Sequence, residues 1–526
     1  EVVSWQYSGV QAEGWPLEPQ WLECNIQLII MSQYRLDWFT KWAIYRPEKP
    51  AIKDQQTGEV LNYRQLNNSG NHLSLWFESL GYKKGDRIAV LAEFCLEYIA
   101  LYAAAQKSGI VLVPLNYRLS ATELEYILGE AQPGCILYED KFSHLLKDKE
   151  KIKPLTDIRN HWNFDELIPA FNGDVEEDDA LLILYTSGSS GLPKGVLYTH
   201  KMTFWNSINT AMSLVINSNT HTINVMPPFH TGGWNVLLAP ILHHGGYVCM
   251  VKKFDPYPDT ALMISASVTV IIGVPTMLHM MAQQDNFTHS NFDTLLYIIV
   301  GGEPMPIPLI EQYDALGVAI RQGYGMTEVG PNLTSLPEQD AIRKKGSIGW
   351  PNFYVDIRVV KDDGTDANID ETGELWLKGP MVMPAYWNNT ELTEMAFSPD
   401  GQWFKSGDLV RRDDEGYIFV VDRLKNMYIS GGENVYPAEI ERVINTIEDV
   451  SESVVIGVKD EKWGEVGKAI IVWKPGANIP SDERIRDNIA TQLAKFKIPK
   501  YFMSLEELPK NDAGKLDRAK LKKLYS

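Results

Sequence analysis

One run of residues, Tyr185 to Val196, constrains this chain more than any other. It reads Tyr-Thr-Ser-Gly-Ser-Ser-Gly-Leu-Pro-Lys-Gly-Val and follows the apolar segment Ala180-Leu-Leu-Ile-Leu184. That segment predicts a buried strand. Glycines permit turns that aim several backbone N–H groups at one point, and small side chains let the backbone approach a ligand closely. Thr186, Ser187, Ser189 and Ser190 add hydroxyl donors, Gly188 and Gly191 supply turns, and Lys194 adds a positive charge. Together they are equipment for holding a polyphosphate. A flexible serine–glycine surface loop is the plainer reading, but ordered apolar segments on both sides and the Pro-Lys-Gly ending speak against it. A Walker-type phosphate loop does not fit. Leu192 and Pro193 separate Gly191 from Lys194, Gly195 stands where the magnesium-binding hydroxyl would be, and Pro193 offers no N–H.

A chain of 526 residues has room for more than one domain and a large core. Hydrophobic content of 44% and charged content of 22% are ordinary for a globular protein. The net charge of −19 disfavours nucleic acid as a partner, so any anionic ligand must be held by local charges. Cys24, Cys95, Cys135 and Cys249 are scattered, which fits a reduced compartment, expected to be the cytoplasm, and not a disulfide framework or a zinc site. No apolar run reaches the ~18 residues of a membrane helix.

Residues 1–30 carry Trp5, Trp15 and Trp21 without clear periodicity and are taken as an extension of uncertain status. From Trp38 onward helical and strand patterns alternate, with strands expected at 87–92, 110–114, 135–138, 222–226, 268–273 and 295–300. Such alternation argues for an α/β protein with largely parallel sheets. After Gly325 the turn signals crowd together, which predicts a smaller β-rich subdomain over about 326–424. The last stretch, 425–526, has the texture of a compact α+β unit. From Lys495 it is basic, with nine Lys/Arg against four Asp/Glu.

Val300-Gly-Gly-Glu-Pro304 ends a strand where an open parallel sheet binds ligands, and a planar base could slide against Gly301 and Gly302. In Arg321-Gln-Gly-Tyr-Gly-Met-Thr-Glu-Val-Gly330, Tyr324 can stack on a base and Thr327 can donate to a phosphate. Glu328 can hold Mg2+, a hard cation that pairs one or two carboxylates with substrate phosphates. Trp403-Phe-Lys-Ser-Gly-Asp-Leu409, Asp422-Arg-Leu-Lys425, Ser430-Gly-Gly432 and Leu508-Pro-Lys-Asn-Asp-Ala-Gly-Lys-Leu-Asp-Arg518 follow in order.

Taken in that order, from about residue 35 to the C-terminus, these motifs resemble the acyl-adenylate-forming superfamily, and its acyl-CoA synthetase branch in particular. Departures are mild: Ser189 and Ser190 stand where the family loop carries threonines, and Lys378 stands where arginine often follows Gly-Glu-Leu. The resemblance implies a large α/β domain of two subdomains plus the β-rich one, together 31–424, and a small mobile C-terminal domain. It implies an ATP/AMP site of Thr186, Ser187, Gly188, Ser189, Ser190, Gly191, Lys194, Gly302, Glu303, Pro304, Gln322, Gly323, Tyr324, Gly325 and Thr327. Asp408 would bind the ribose hydroxyls with help from Arg423, and Glu328 would hold Mg2+. Lys515 would be catalytic, assisted by Thr327 and His230, with Lys425 as hinge and Ser430, Gly431 and Gly432 against CoA. The acyl pocket would draw on His230, Trp234, Val274, Gly301 and Gly325. Trp234 resembles the gate of some long-chain fatty acid ligases, and core packing suits it equally. The implied reaction joins a carboxylic acid, fatty or alkyl first and aryl second, to CoA through an acyl-adenylate. Transfer to a carrier-protein thiol, luciferase-like oxidation, or a nucleotide-binding regulator without catalysis are the alternatives. A homodimer and a peripheral membrane contact are compatible with the sequence.

Overall fold

The computed structural model describes residues 36–146, 151–162, 168, 171, 173–187, 192–285, 287–290, 292–303, 305–431, 433–510 and 516–526. Short apolar runs bounded by Gly and Pro become the buried strands of open sheets. A six-stranded sheet takes its strands in the order Ile152–Pro154, Cys135–Tyr138, Arg87–Leu91, Val111–Pro114, Ala180–Ser187 and Pro193–Thr199. All neighbours in it are parallel except the last pair, an antiparallel hairpin that sets Thr186 opposite Lys194. The phosphate loop therefore joins the two strands of this hairpin.

Helix Leu96–Ser108 is buried along its whole length and packs on helix Tyr63–Ser79. Its one cation, Lys107, is fully enclosed. The ammonium donates to Asp37 Oδ2 at 2.7 Å, Thr40 Oγ1 at 2.7 Å and Asn67 Oδ1 at 2.8 Å, one acceptor for each of its three protons. This fastens helix Trp38–Tyr45, whose N-cap is Asp37, to the core.

A five-stranded sheet begins with the parallel strands Val270–Gly273, Tyr297–Val300 and Ala319–Tyr324 and ends with two short antiparallel ones. The carboxyl ends of its second and third strands carry Gly301-Gly302-Glu303 and Gly325-Met326-Thr327-Glu328, where open sheets place ligands. The closely spaced turns after Gly325 correspond to an antiparallel sheet of Asp356–Val360, Gly373–Lys378, Phe404–Arg412 and Ile418–Arg423. Burial alternates residue by residue along Gly373–Lys378, as expected for a strand with one covered face.

Beyond Lys425 the chain builds another sheet, including the long antiparallel pair Val450–Asp460 and Gly464–Trp473. Tyr428, Ile440, Ile444, Val455, Ile471 and Ile489 belong to a core of its own. Asp422, only 4% exposed, spans the junction. Its carboxylate accepts from Arg423 N at 2.6 Å, Asn426 Nδ2 at 3.0 Å and Ala438 N at 2.8 Å. The last is in the first turn of helix Pro437–Ile444, where a negative charge is favoured. Cys95, Cys135 and Cys249 are buried free thiols, and no described helix is long and apolar enough to cross a membrane.

Candidate active site

The site is assembled from side chains that lie far apart in sequence. Lys194 opens strand Pro193–Thr199, and Glu328 lies on a buried one-turn 3-10 helix, Thr327–Val329. Their charges meet at 2.8 Å. Between them stands Tyr386, whose hydroxyl is 2.5 Å from Lys194 Nζ and donates to Glu328 Oε1 at 2.9 Å. The lysine ammonium also lies over the tyrosine ring at 4.2 Å. The Tyr386 segment is clasped on both sides: Trp387 N donates to Gly195 O and Met383 N to Glu328 O, each at 2.7 Å. Burial, then the Glu328 charge, pushes the Tyr386 phenol far above its ordinary pKa, so it stays a donor. Thr186 Oγ1 is buried beside this trio and has no hydrogen-bond partner among the described residues.

A second cluster forms across the sheet edge. Asp408 and Arg423 are direct cross-strand partners, 3.1 Å apart from Oδ1 to Nε. Tyr324 donates its hydroxyl to Asp408 Oδ2 at 2.5 Å. The turn before Asp408 is held by Glu374, which accepts from Gly407 N at 3.0 Å. Asp408 is 3% exposed, and burial raises its pKa against the opposing pull of Arg423 and the Tyr324 hydrogen bond. A carboxylate with two oxygens in fixed directions suits a vicinal diol, since it accepts two hydrogen bonds at once.

Lys425 follows Arg423 by two residues. Desolvation first, then the Arg423 charge, holds its pKa below the usual lysine value; Lys194 adds to this and Asp408 opposes it. The geometric tie between the clusters is the segment 324–328, which places the Tyr324 hydroxyl on Asp408 at one end and the Glu328 carboxylate on Lys194 at the other.

The remaining expected residues divide. Gly325 is pressed against the chain: a Cβ there would lie 2.1 Å from Pro331 O, so only glycine lets this loop close. Gly301 is half-buried with the Gly323 carbonyl beside it, Gly302 and Glu303 are exposed, and Thr327 and Val274 are half-buried. Gln322 works from behind. Its side-chain amide accepts from Met305 N at 3.1 Å and donates to Ser347 O at 3.2 Å, so both ends of the amide are engaged by the chain. Trp234 is wholly buried, stacked on Tyr102 and edge-on to Phe94 and Tyr98, with its indole N–H on Pro228 O. That is the packing alternative, not an opening. His230 follows Phe229 at the end of the Pro227 turn, their rings 4.9 Å apart. Ser430 and Gly431 are tied within the last sheet to Gly464 and Trp463 O. Gly188, Ser189, Ser190, Gly191, Pro304, Gly432 and Lys515, and the side chain of Ser187, lie outside the described residues.

Sequence reasoning did not single out Tyr386 or Glu374. Tyr386 sits in an uncharged stretch, Met381–Trp387, and its role comes from a bridge to Val196, far away in the chain. Glu374 sits in the alternating pattern of an ordinary strand, where a solvated face is the default.

Cations gathered against an otherwise acidic molecule, a carboxylate within the same cation cluster and a second, diol-ready carboxylate describe an enzyme cleft for a nucleotide. Comparison with known proteins agrees. The AMP-binding enzyme family matches residues 39–387, and its C-terminal domain matches 439–515. The chain belongs to the AMP-binding enzyme family. It is 34% identical to a long-chain-fatty-acid–CoA ligase of Mycobacterium tuberculosis over 92% of this chain and 97% of that one. It is 33% identical to a feruloyl-CoA synthase of Amycolatopsis over 93% and 98%. Among solved structures, the o-succinylbenzoate CoA synthetase of Bacillus subtilis in complex with ATP and magnesium superposes with a TM-score of 0.82 at 30% identity, covering 92% and 99%.

Proposed function

We propose that this protein is an AMP-forming acid–thiol ligase that activates a carboxylic acid with ATP and passes the acyl group to CoA. In the first step the acid's carboxylate oxygen attacks the α-phosphorus, the α–β bridging P–O bond breaks, and acyl-adenylate and pyrophosphate result. In the second, the CoA sulfur attacks the acyl carbon, the acyl–oxygen bond breaks and AMP leaves, with the thiol proton released to solvent. No protein nucleophile is needed; the work is positioning and charge stabilisation.

The observation that carries this reading is the pairing of Lys194 with Glu328 on the same segment whose Tyr324 holds Asp408. Lys194 and Thr186 would hold the departing phosphates, and the buried, unpartnered Thr186 hydroxyl supports a ligand there. Glu328 fits Mg2+: one carboxylate beside a phosphate loop is the donor set of a cation that shares its shell with phosphates. When bound, that ion neutralises the β,γ-phosphates. Asp408, aligned by Tyr324 and Arg423, would take the ribose hydroxyls, and Gly301, Gly302 and Gly325 the base and acyl faces.

Lys515 would join carboxylate and α-phosphate as charge builds between them. The chain flanking it is pinned: Lys510 bridges to Leu516, Asp517 N donates to Pro509 O at 2.8 Å, and Arg518 pairs with half-buried Glu441 at 2.5 Å. We read 425–526 as a domain that pivots at Lys425, withdrawing Lys515 and advancing the Ser430–Gly432 turn for the CoA step. The acid is a fatty or alkyl carboxylate, with an aryl acid as second choice; relatives named for fatty acid, ferulate, succinylbenzoate and indoleacetate span both. We place the protein in the cytoplasm. Sedimentation of the purified chain tests a homodimer.

A panel of alkyl and aryl acids with ATP, Mg2+ and CoA tests the reaction. Pyrophosphate release that depends on one acid class, with an acyl-CoA product, is expected. Absence of release across the panel overturns the reading, and release without thioester redirects it to another acceptor.

A further inference from the structure

The turn that follows His230 is irregular for a reason visible in its sequence. Residues Gly232–Val236 form a single π-turn, Leu237 leaves helical geometry at φ −125°, and helix Leu238–His243 resumes. In a continuous helix the Val236 carbonyl would accept from the N–H of residue 240, and residue 240 is proline. The missing donor comes from another part of the chain. Asn332 Nδ2 lies 3.1 Å from Val236 O, 3.3 Å from Asn235 O and 2.5 Å from Thr210 Oγ1. Asn206 Nδ2 adds a second bond to Asn235 O at 2.6 Å. Asn206, Asn235, Asn332 and Thr210 are all buried. Apolar side chains would fill this space without the desolvation cost of amides, and Asn235 Oδ1 is left buried without a partner among the described residues, so these amides specify geometry more than volume.

Both ends of the network lead to the cleft. Asn332 belongs to the loop that carries Thr327 and Glu328, closed by Leu333 N donating to Tyr324 O at 3.0 Å and by the contact of Gly325 with Pro331. At the other end Gly233 N donates to His230 O at 3.0 Å, and Asn235 Nδ2 donates to Thr231 Oγ1 at 3.2 Å. A Cβ on Gly233 would lie 2.2 Å from Pro227 O, so this turn has little freedom of its own. The geometry points to Asn332 as a positioning residue: its amide fastens the His230 turn to the Thr327–Glu328 loop and fixes the acid side of the cleft against the phosphate side. The assignment rests on the ligase reading above.

Asn332→Asp keeps the shape and removes the N–H donors. Asn352→Ala is the companion variant, because among the described residues Asn352 Nδ2 bonds the backbone of the same segment, Asn332 O at 2.8 Å. Each is measured on the full-length enzyme for melting temperature, ATP dissociation constant, acid KM and the rate of adenylate formation per folded molecule. Misalignment between two bound reactants costs rate more than affinity. N332D is expected to slow adenylate formation about ten- to a hundredfold. Its ATP dissociation constant should stay within about threefold of wild type, and N352A should keep its rate within about the same factor. An unchanged rate in N332D, a loss confined to ATP affinity, or equal slowing in both variants overturns the assignment while the ligase reading stands. A wild type that releases no pyrophosphate removes both.

Discussion

The two charge clusters differ in what their side chains are bonded to. On the phosphate side Lys194, Glu328 and Tyr386 are closed on one another, so the groups that would hold phosphate and cation hold each other instead. On the side proposed for the ribose, Asp408 is held in place by Tyr324, Arg423 and the Glu374-held turn. On the proposed reading, the first cluster would have to open to bind and the second is preorganised. Groups already aimed cost no reorganisation when a ligand arrives, whereas paired groups must first exchange partners.

The largest expected effect lies with the group that neither half supplies. Lys515→Ala should reduce adenylate formation about a thousandfold, the upper range for one electrostatic contact at a reacting centre. Thioester formation from supplied acyl-adenylate should be retained, and equal loss of both half-reactions would break the two-state picture. Next, Glu328→Gln should cost about a hundredfold in adenylate formation and raise the Mg2+ concentration needed; an unchanged Mg2+ titration would remove the cation from the phosphate half. Asp408→Asn should raise KM for ATP about tenfold with kcat little altered, the signature of uniform binding. A matching fall in kcat would show that the ribose half also acts in the transition state.

Tyr386→Phe sharpens the contrast from the other side. It removes a hydroxyl that both charges share, so less must be broken on binding. KM for ATP should fall about two- to threefold, with stability lower by about 1 kcal/mol. A rise in KM would mean that the trio is itself preorganised. The smallest effect is on stability against pH. Burial holds the folded Asp408 pKa above its unfolded value, so between the two the folded state binds more protons and stability falls as pH rises. Unfolding of D408N and wild type, compared from about pH 4 upward, should show that slope only in wild type. Arg423 is 56% exposed and tolerates the loss of its partner.

Much of this arrangement is legible in the sequence, and particular residues show why some is not. Cys135–Tyr138 and Arg87–Leu91 are readable as strands because each is a short apolar run between turn signals. Glu328 and Asp408 are readable because unusual local sequences surround them. Tyr386 is not, because its meaning lies in two backbone hydrogen bonds to segments distant in the chain. Gln322 sits inside a recognisable motif, yet its amide serves the Met305 turn, a distinction that only packing can make. Lys107 looks like a solvated helix terminus until the fold surrounds it with Asp37, Thr40 and Asn67. Pro240 is visible in the sequence, but the donor that replaces its N–H is not.

Asp422 sits a few residues before Lys425 and grips chain on both sides of it. Any turning of the last domain about Lys425 must break the Ala438 N–H bond to that carboxylate, worth about 1.5–3 kcal/mol for a charged acceptor. If the domain pivots as proposed, the junction would act as a detent, favouring the present orientation by roughly ten- to a hundredfold, a difference that a ligand preferring the other would have to supply. Asp422→Ala should loosen the catch and let both orientations be sampled before any substrate arrives.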